Sequence, residues 1–465
     1  MLHFYNLLCL ACMAVPNKAP SSAPRQFHIA PMQCYTNAPL RKLYSLLSPS
    51  SVKWTEMEKV DDIYPKQMHK NDASDFLQYA LEKRLGFPQH ERHDGGDGDG
   101  EREREQSNLV LQLGSNHPDR LQSCVQRATQ LYQNDLREIN LNCGCPSIES
   151  GGASSYGASL MKQTELTAKL VEAVRNGSRA ASASTTRTSS DIGISVKCRI
   201  AIFDHVDDME QLDESHYSFL KEYISSIHHA GANHVILHAR PAILSGLTPV
   251  KNRVVPDLNY DFVERIKADF DGKMDVTLNG GITSLSQLRS LHEDSTSVTS
   301  HMAGRWCLRR PMDLVGIEAL LVNQDLKLDS QGNSVGKRSE NAVQDYIDYA
   351  IQMASLPANR QRYTIAELCL PLFLTVEQLR DDYDFDESAC DESEESPLLS
   401  YEEVESLYDI IRDGVSHLEE LVGNGNKKNK WNEGDDINFK RLSSSFKALV
   451  GTKVANKWKR NRAEL

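Results

Sequence analysis

No apolar run in this chain approaches the about 18 residues that a membrane-spanning helix needs, so no segment is expected to cross a bilayer. Regular cysteine spacing is also missing. Ten cysteines scattered over 465 residues suggest no disulfide framework and a reduced compartment, the cytoplasm in the first instance. No Gly-x-Gly-x-x-Gly follows the first apolar run, which argues against a doubly wound dinucleotide-binding sheet. Lys and Arg are absent from residues 381–405, where twelve Asp and Glu fall, and residues 91–105 set seven acids against three arginines. Those two stretches carry the acidity: the chain has net charge −13, and the remainder has net charge +3. Residues 437–465 hold eight Lys and Arg, with Glu464 as their one acid. A composition that at first argues against an RNA partner therefore leaves a basic tail suited to phosphates.

What is present is globular: 40% hydrophobic and 25% charged, long enough for one large domain and a smaller one. Eight short β-rich runs recur with helical patterns between them. They are FHIAPM (27–32), VKWTEM (52–57), LVLQLGS (109–115), EINLNCG (138–144), ISVKCRI (194–200), HVILHAR (234–240), DVTLNGG (275–281) and SVTSHMAGR (297–305). Several are apolar on both faces, as buried parallel strands are. Eight such βα units predict an α/β fold, a TIM (β/α)8 barrel over 27–325. Low-complexity stretches at 90–106 and 176–190 read as solvent-exposed insertions. From 340 to 465 the pattern is amphipathic and helical, predicting a smaller all-helical domain with an acidic disordered insertion at about 381–400. Residues 1–26, apolar then Ser/Pro-rich, read as a disordered tail or an organelle-targeting leader for plastid or mitochondrion.

Barrel active sites lie at the C-terminal strand ends, and here those ends are polar. They carry Pro31, Met32 and Gln33; Glu56; Gln112; Asn140, Asn142 and Cys145; Lys197 and Arg199; His238 and Arg240; Asn279, Gly280 and Gly281; Gly304 and Arg305. Unpaired buried cations are costly, so Lys197, His238, Arg240 and Arg305 around one mouth call for an anionic ligand. Glycines after the seventh and eighth strands offer bare backbone N–H groups for a phosphate. A phosphorylated cofactor with a flat polar ring fits the set. A lone strand-end histidine is more often a satisfied core residue; one polar group per strand is harder to explain by packing. Cys143 shares its strand face with Ile139 and Leu141 and is expected to pack. Cys145 stands beyond Gly144, outside the ladder. Two thiols so spaced rarely share a metal, and no metal is expected.

APM (30–32), TEM (55–57), LQLGS (111–115), INLNCGCPS (139–147), GASSYGASLM (152–161), VKCRI (196–200), HAR (238–240), LSGLTP (244–249) and NGGI (279–282) together resemble the tRNA-dihydrouridine synthases. The match runs in order from about 27 to 320, and the C-terminal region resembles that family's tRNA-binding domain. LSGLTPVKNRVVPDLNYDFV is most similar to the bacterial type that acts at positions 20 and 20a. The resemblance implies an FMN-dependent enzyme that takes electrons from NADPH and reduces uridine in tRNA to 5,6-dihydrouridine. It implies that Pro31, Met32, Gln112, Lys197, His238, Asn279, Gly280, Gly281, Gly304 and Arg305 bind FMN. Cys145 is then the general acid that protonates C5 while reduced flavin gives hydride to C6. Asn142, Arg199, Arg240 and Arg253, with Lys453, Lys457 and Arg460 of the tail, are expected to meet tRNA, the tail through phosphate contacts and Trp458 stacking. The protein is expected to be a monomer. Two departures stand out: Pro241 and Val250 fall where the family pattern has basic residues, with Lys251 beside the second. The competing readings are a flavin barrel dehydrogenase acting on a free pyrimidine, and a non-catalytic tRNA-binding relative. The basic tail argues against the first, and Cys145 with Lys197 against the second.

Overall fold

A computed structural model describes residues 25–63, 73–86, 108–132, 134–146, 156–182, 192–294, 298–324, 333–358, 361–384, 397–423 and 437–463. Most of the N-terminal leader, the 90–106 insertion, the end of the 176–190 stretch and most of the acidic insertion lie outside these residues. Ten strands are present among those described: β1 (Gln26–Ile29), β2 (Val52–Lys59), β3 (Leu109–Gly114), β4 (Leu136–Cys143), β5 (Gly193–Arg199), β6 (Ile202–His205), β7 (His234–His238), β8 (Ala242–Ser245), β9 (Asp275–Asn279) and β10 (Ser300–Ala303). Eight of them close into a barrel in the order β1-β10-β9-β7-β5-β4-β3-β2, and the pairings are parallel throughout. The expected TIM barrel is therefore found. Pairing of Phe27 with His301 and Ile29 with Ala303 joins the first strand to the last.

Three local readings are corrected. The short pair β6–β8 stands apart from the barrel sheet; each strand follows closely on the end of a barrel strand, Arg199 or His238, so its run merges with that strand's in the sequence. The helix Thr164–Ser182 runs on through the first part of the 176–190 stretch, because Ser178 and Ala181 still present a buried face. On β2 the register with β3 shifts between Trp54 and Met57. This bulge turns Glu56 away from the mouth and puts Met57 on it.

The barrel interior is polar for a fold usually filled by branched aliphatics. His28, Gln112, Glu138, Asn140, Ser195, His234 and Thr277 are buried, around an apolar layer of Ala30, Val52, Trp54, Val110, Ile236 and Met302. The C-terminal region is helical: Val335–Ala354, Ile365–Tyr383, Tyr401–Leu421, Phe439–Val450 and Thr452–Ala463. Ser334, Thr364, Ser400 and Asn438 cap the first four. Tyr346, Phe373, Tyr408 and Phe446 are fully buried and share one continuous core with residues of the barrel layer. Arg310 bonds Asp382 at 2.8 Å and Arg362 bonds Glu82 at 2.7 Å, tying these helices to the barrel side.

Candidate active site

A cavity of about 770 Å³ opens where the strands end. Pro31, Met32, Gln112, Asn142, Cys145, Lys197, Arg199, His238, Arg253, Asn279, Gly280, Gly281, Gly304 and Arg305 all line it. Of the barrel residues expected to bind FMN or tRNA only Arg240 is missing from its wall, and of the other polar strand-end residues Glu56 and Asn140 are also absent from it. The Arg240 guanidinium instead bonds the carbonyls of Val254 and Pro256, and its Nε is buried without a partner among the described residues.

Cys145 is positioned by its own loop. The Asn142 side-chain oxygen accepts the N–H groups of Gly144 at 3.2 Å and Cys145 at 3.1 Å. The Cys145 carbonyl accepts the Ala158 N–H at 2.9 Å. Beside it Gly157 has φ +76°, and a Cβ there would come within 2.5 Å of that carbonyl, so only glycine fits the turn. Cys143 is fully buried among core residues, where burial pushes its thiol up to about 12. Asn142 is buried with both ends of its amide engaged, its Nδ2 donating to Gln112 at 2.9 Å. It orders the site as well as lining it.

The electrostatics are one-sided. Lys197 donates to Asn279 at 2.8 Å, and Asn279 donates to the Met302 carbonyl at 3.0 Å. Burial, then Arg199, push the Lys197 ammonium down to about 7. Burial, then Arg199, Lys197, Arg240 and Arg305, hold His238 well below the ordinary histidine range. Arg199 is buried and committed to the carbonyls of Gly144, Pro241 and Asn252 at 3.0–3.2 Å; it braces two loops. Arg253 presents an Nε with no partner among the described residues. Asp313 is the one acidic residue on the described wall, and Trp306 and Arg310 already engage it at 2.8 and 2.9 Å. Such a cavity selects an anion. Met57, Tyr35 and Thr283 also line it; Met57 closes the TEM motif and Thr283 follows NGGI, but the sequence pattern singles out neither as a site residue.

The basic tail lies on the helix Thr452–Ala463. Lys453, Lys457 and Arg460 are exposed and spaced to share a face. Arg462 reaches the Arg309 carbonyl at 3.3 Å and Asp381 at 2.7 Å, which docks this helix near the mouth. The expectation that Trp458 offers a stacking surface is corrected: its ring packs on Phe373 at 5.2 Å, because it faces the helical core. Among the described residues no group of three or more His, Cys, Asp or Glu is placed to hold a metal ion.

The sequence pattern of the dihydrouridine synthase (Dus) family matches residues 28–328. A tRNA-dihydrouridine(20/20a) synthase of Shewanella oneidensis is 30% identical over 299 residues, covering 64% of this chain and 71% of its own. The enzyme so named from Xanthomonas campestris is 32% identical over 309 residues, 66% and 75% of the two chains. That of Pseudomonas putida is 29% identical over 330 residues, 71% and 81%. The matched span contains all of the barrel but the first two residues of β1, with every cavity residue described above, and the chain belongs to the dihydrouridine synthase family.

Proposed function

We propose that this chain reduces the C5–C6 double bond of uridine in the D-loop of tRNA, at position 20, 20a or both, using FMN and NADPH. The observation that carries the reading is the convergence of one loop thiol, Cys145, with Lys197, His238, Arg253 and Arg305 on a single cavity. Family membership supports the reaction class. The relatives' names support tRNA as substrate and the two positions. Barrel residues 27–325 then form the catalytic domain and helices 340–465 the tRNA-binding domain.

The residues fit a phosphorylated flavin. The cavity has the volume of a small-molecule site. Gly280 and Gly281 keep φ +115° and +79°, and a Cβ on either would strike His238 at 2.8 Å or Leu258 at 2.5 Å, so that wall stays free of side chains. Lys197, Arg253 and Arg305 converge on this cavity and suit a phosphate. Gly280, Gly281, Gly304, Arg305 and Asn279 would hold the phosphate end, while Pro31, Met32, Gln112, Lys197 and His238 would hold the ring. When bound and reduced, FMN supplies the hydride for C6. Cys145 Sγ gives the proton to C5 as general acid and is reprotonated from solvent. Asn142 and Gly157 keep that thiol in place, and Arg199 holds its loop. The target uridine must leave the tRNA stack to enter. Arg240 and Arg253 stand near its path, and Lys453, Lys457 and Arg460 meet tRNA phosphates. The purified protein is expected to be yellow, with a flavin spectrum bleached by NADPH. A colourless protein that takes up no added FMN contradicts the reading.

A further inference from the structure

A row of hydrogen-bonding side chains runs inside the barrel from the cavity toward the N-terminal strand ends. At its top, the Asn142 oxygen holds the N–H groups of Gly144 and Cys145. Asn142 Nδ2 donates to Gln112 Oε1 at 2.9 Å, Gln112 Nε2 donates to Asn140 Oδ1 at 2.8 Å, and Asn140 Nδ2 donates to Ser195 Oγ at 2.7 Å. Below Ser195 stands Glu138. Its Oε2 meets His234 Nδ1 at 2.9 Å, and His234 continues to Thr277 at 2.8 Å. Glu138 Oε1 is buried and has no hydrogen-bond partner among the described residues. Asn140, Ser195 and Glu138 are buried, and none of them lines the cavity.

The Asn142 end of the row sets its direction. Peptide N–H groups only donate, so Asn142 must turn its oxygen to Gly144 and Cys145. Its amide then donates to Gln112, Gln112 donates to Asn140, and Asn140 donates to the Ser195 hydroxyl oxygen. Taken alone, Asn140 accommodates the reverse orientation, with its oxygen toward the Ser195 hydroxyl and the Lys197 N–H. That orientation would turn over Gln112 and Asn142 in sequence and set an NH2 against two peptide N–H groups. With the Asn142 end fixed, one orientation of each amide satisfies the whole row.

We infer that Ser195 and Asn140 are positioning residues. Through this polarised row they fix the orientation of the Gln112 amide in the cavity wall and hold the Asn142 turn that places Cys145. The Gln112 half of the inference rests on the flavin reading; the Cys145 half does not.

Full-length wild type, Ser195→Ala, Ser195→Thr and Thr277→Val are compared in two measurements. One is FMN affinity by fluorescence titration. The other is the iodoacetamide alkylation rate of Cys145 without added FMN, read by peptide mass spectrometry. Ser195→Ala is expected to weaken FMN binding about tenfold, near the worth of one buried hydrogen bond, and to change the Cys145 rate several-fold. Ser195→Thr, which keeps the hydroxyl, should recover both. Thr277→Val cuts a bond on the far side of Glu138 and should lose stability while moving neither readout. A folded Ser195→Ala with wild-type values in both measurements overturns the inference, and so do equal shifts in Thr277→Val. If Ser195→Ala does not fold, Ser195→Cys, a weak donor of similar size, carries the same comparison. Wild type that binds no FMN overturns the flavin reading, and the alkylation rates then decide the row by themselves.

Discussion

At the scale of the residue, two cysteines separated only by Gly144 meet different fates. Cys143 is locked in the core, and Cys145 stands on the cavity wall. Cys143→Ala should leave dihydrouridine formation within a few-fold of wild type, although trimming a buried side chain lowers stability by roughly 1 kcal/mol. Steady-state rates and a denaturant midpoint check the two halves of that statement. Lys197 carries the pH dependence. Burial, then Arg199, lower it to about 7, whereas a lysine in the unfolded chain titrates near ~10.4. Between those values the unfolded chain binds the extra proton, so the unliganded protein gains stability as pH rises across that window. A bound anion restores the proton to Lys197. Affinity for FMN should therefore fall at least about tenfold from pH 7 to pH 9, and Lys197→Met should flatten that profile. A wild-type profile already flat would exclude Lys197 as a partner of the anion. Cys143 shares the face of Ile139 and Leu141 whereas Cys145 stands beyond Gly144, outside the ladder, and that made the two separable in sequence. The depressed Lys197 was not legible, because it depends on Arg199 and on what else surrounds it in three dimensions.

At the scale of the element, the eight barrel strands were legible because each is a compact apolar run ending in a polar group. The β2 bulge was not: a single inserted residue leaves no mark in composition, yet it exchanges Glu56 for Met57 at the mouth. Likewise β6 and β8 follow β5 and β7 after only two or three residues, so they do not stand out as separate runs. The turn after β9 was legible as Asn-Gly-Gly, and the structure supplies its reason. Gly281 has φ +79°, and a Cβ there would meet Leu258 at 2.5 Å and the Tyr260 hydroxyl at 2.6 Å. Gly281→Ala should cost roughly 1–3 kcal/mol of stability and weaken FMN binding, measured by thermal unfolding and by flavin titration. A variant with wild-type midpoint and affinity would show that the turn tolerates a side chain.

At the scale of the molecule, the helical region and the barrel share one core and a set of buried ion pairs, which composition alone does not reveal. Asp382 is almost wholly buried and pairs with Arg310. Asp382→Ala leaves that guanidinium with a depleted partner set and should lower unfolding free energy by roughly 3 kcal/mol, seen in a denaturant titration followed by far-ultraviolet circular dichroism. The exposed face of Lys453, Lys457 and Arg460 should act through phosphates. Reversing all three to Glu should weaken tRNA binding across sequences and reduce its salt dependence, leaving FMN affinity unchanged. The central claim is tested most directly by quantifying dihydrouridine at positions 20 and 20a by mass spectrometry. The tRNA comes from cells lacking that modification and supplied with wild type or Cys145→Ala. Wild type should restore dihydrouridine at one or both positions, and Cys145→Ala should lower the rate at least about a hundredfold; full modification by Cys145→Ala, or none by wild type that holds FMN, would contradict the account.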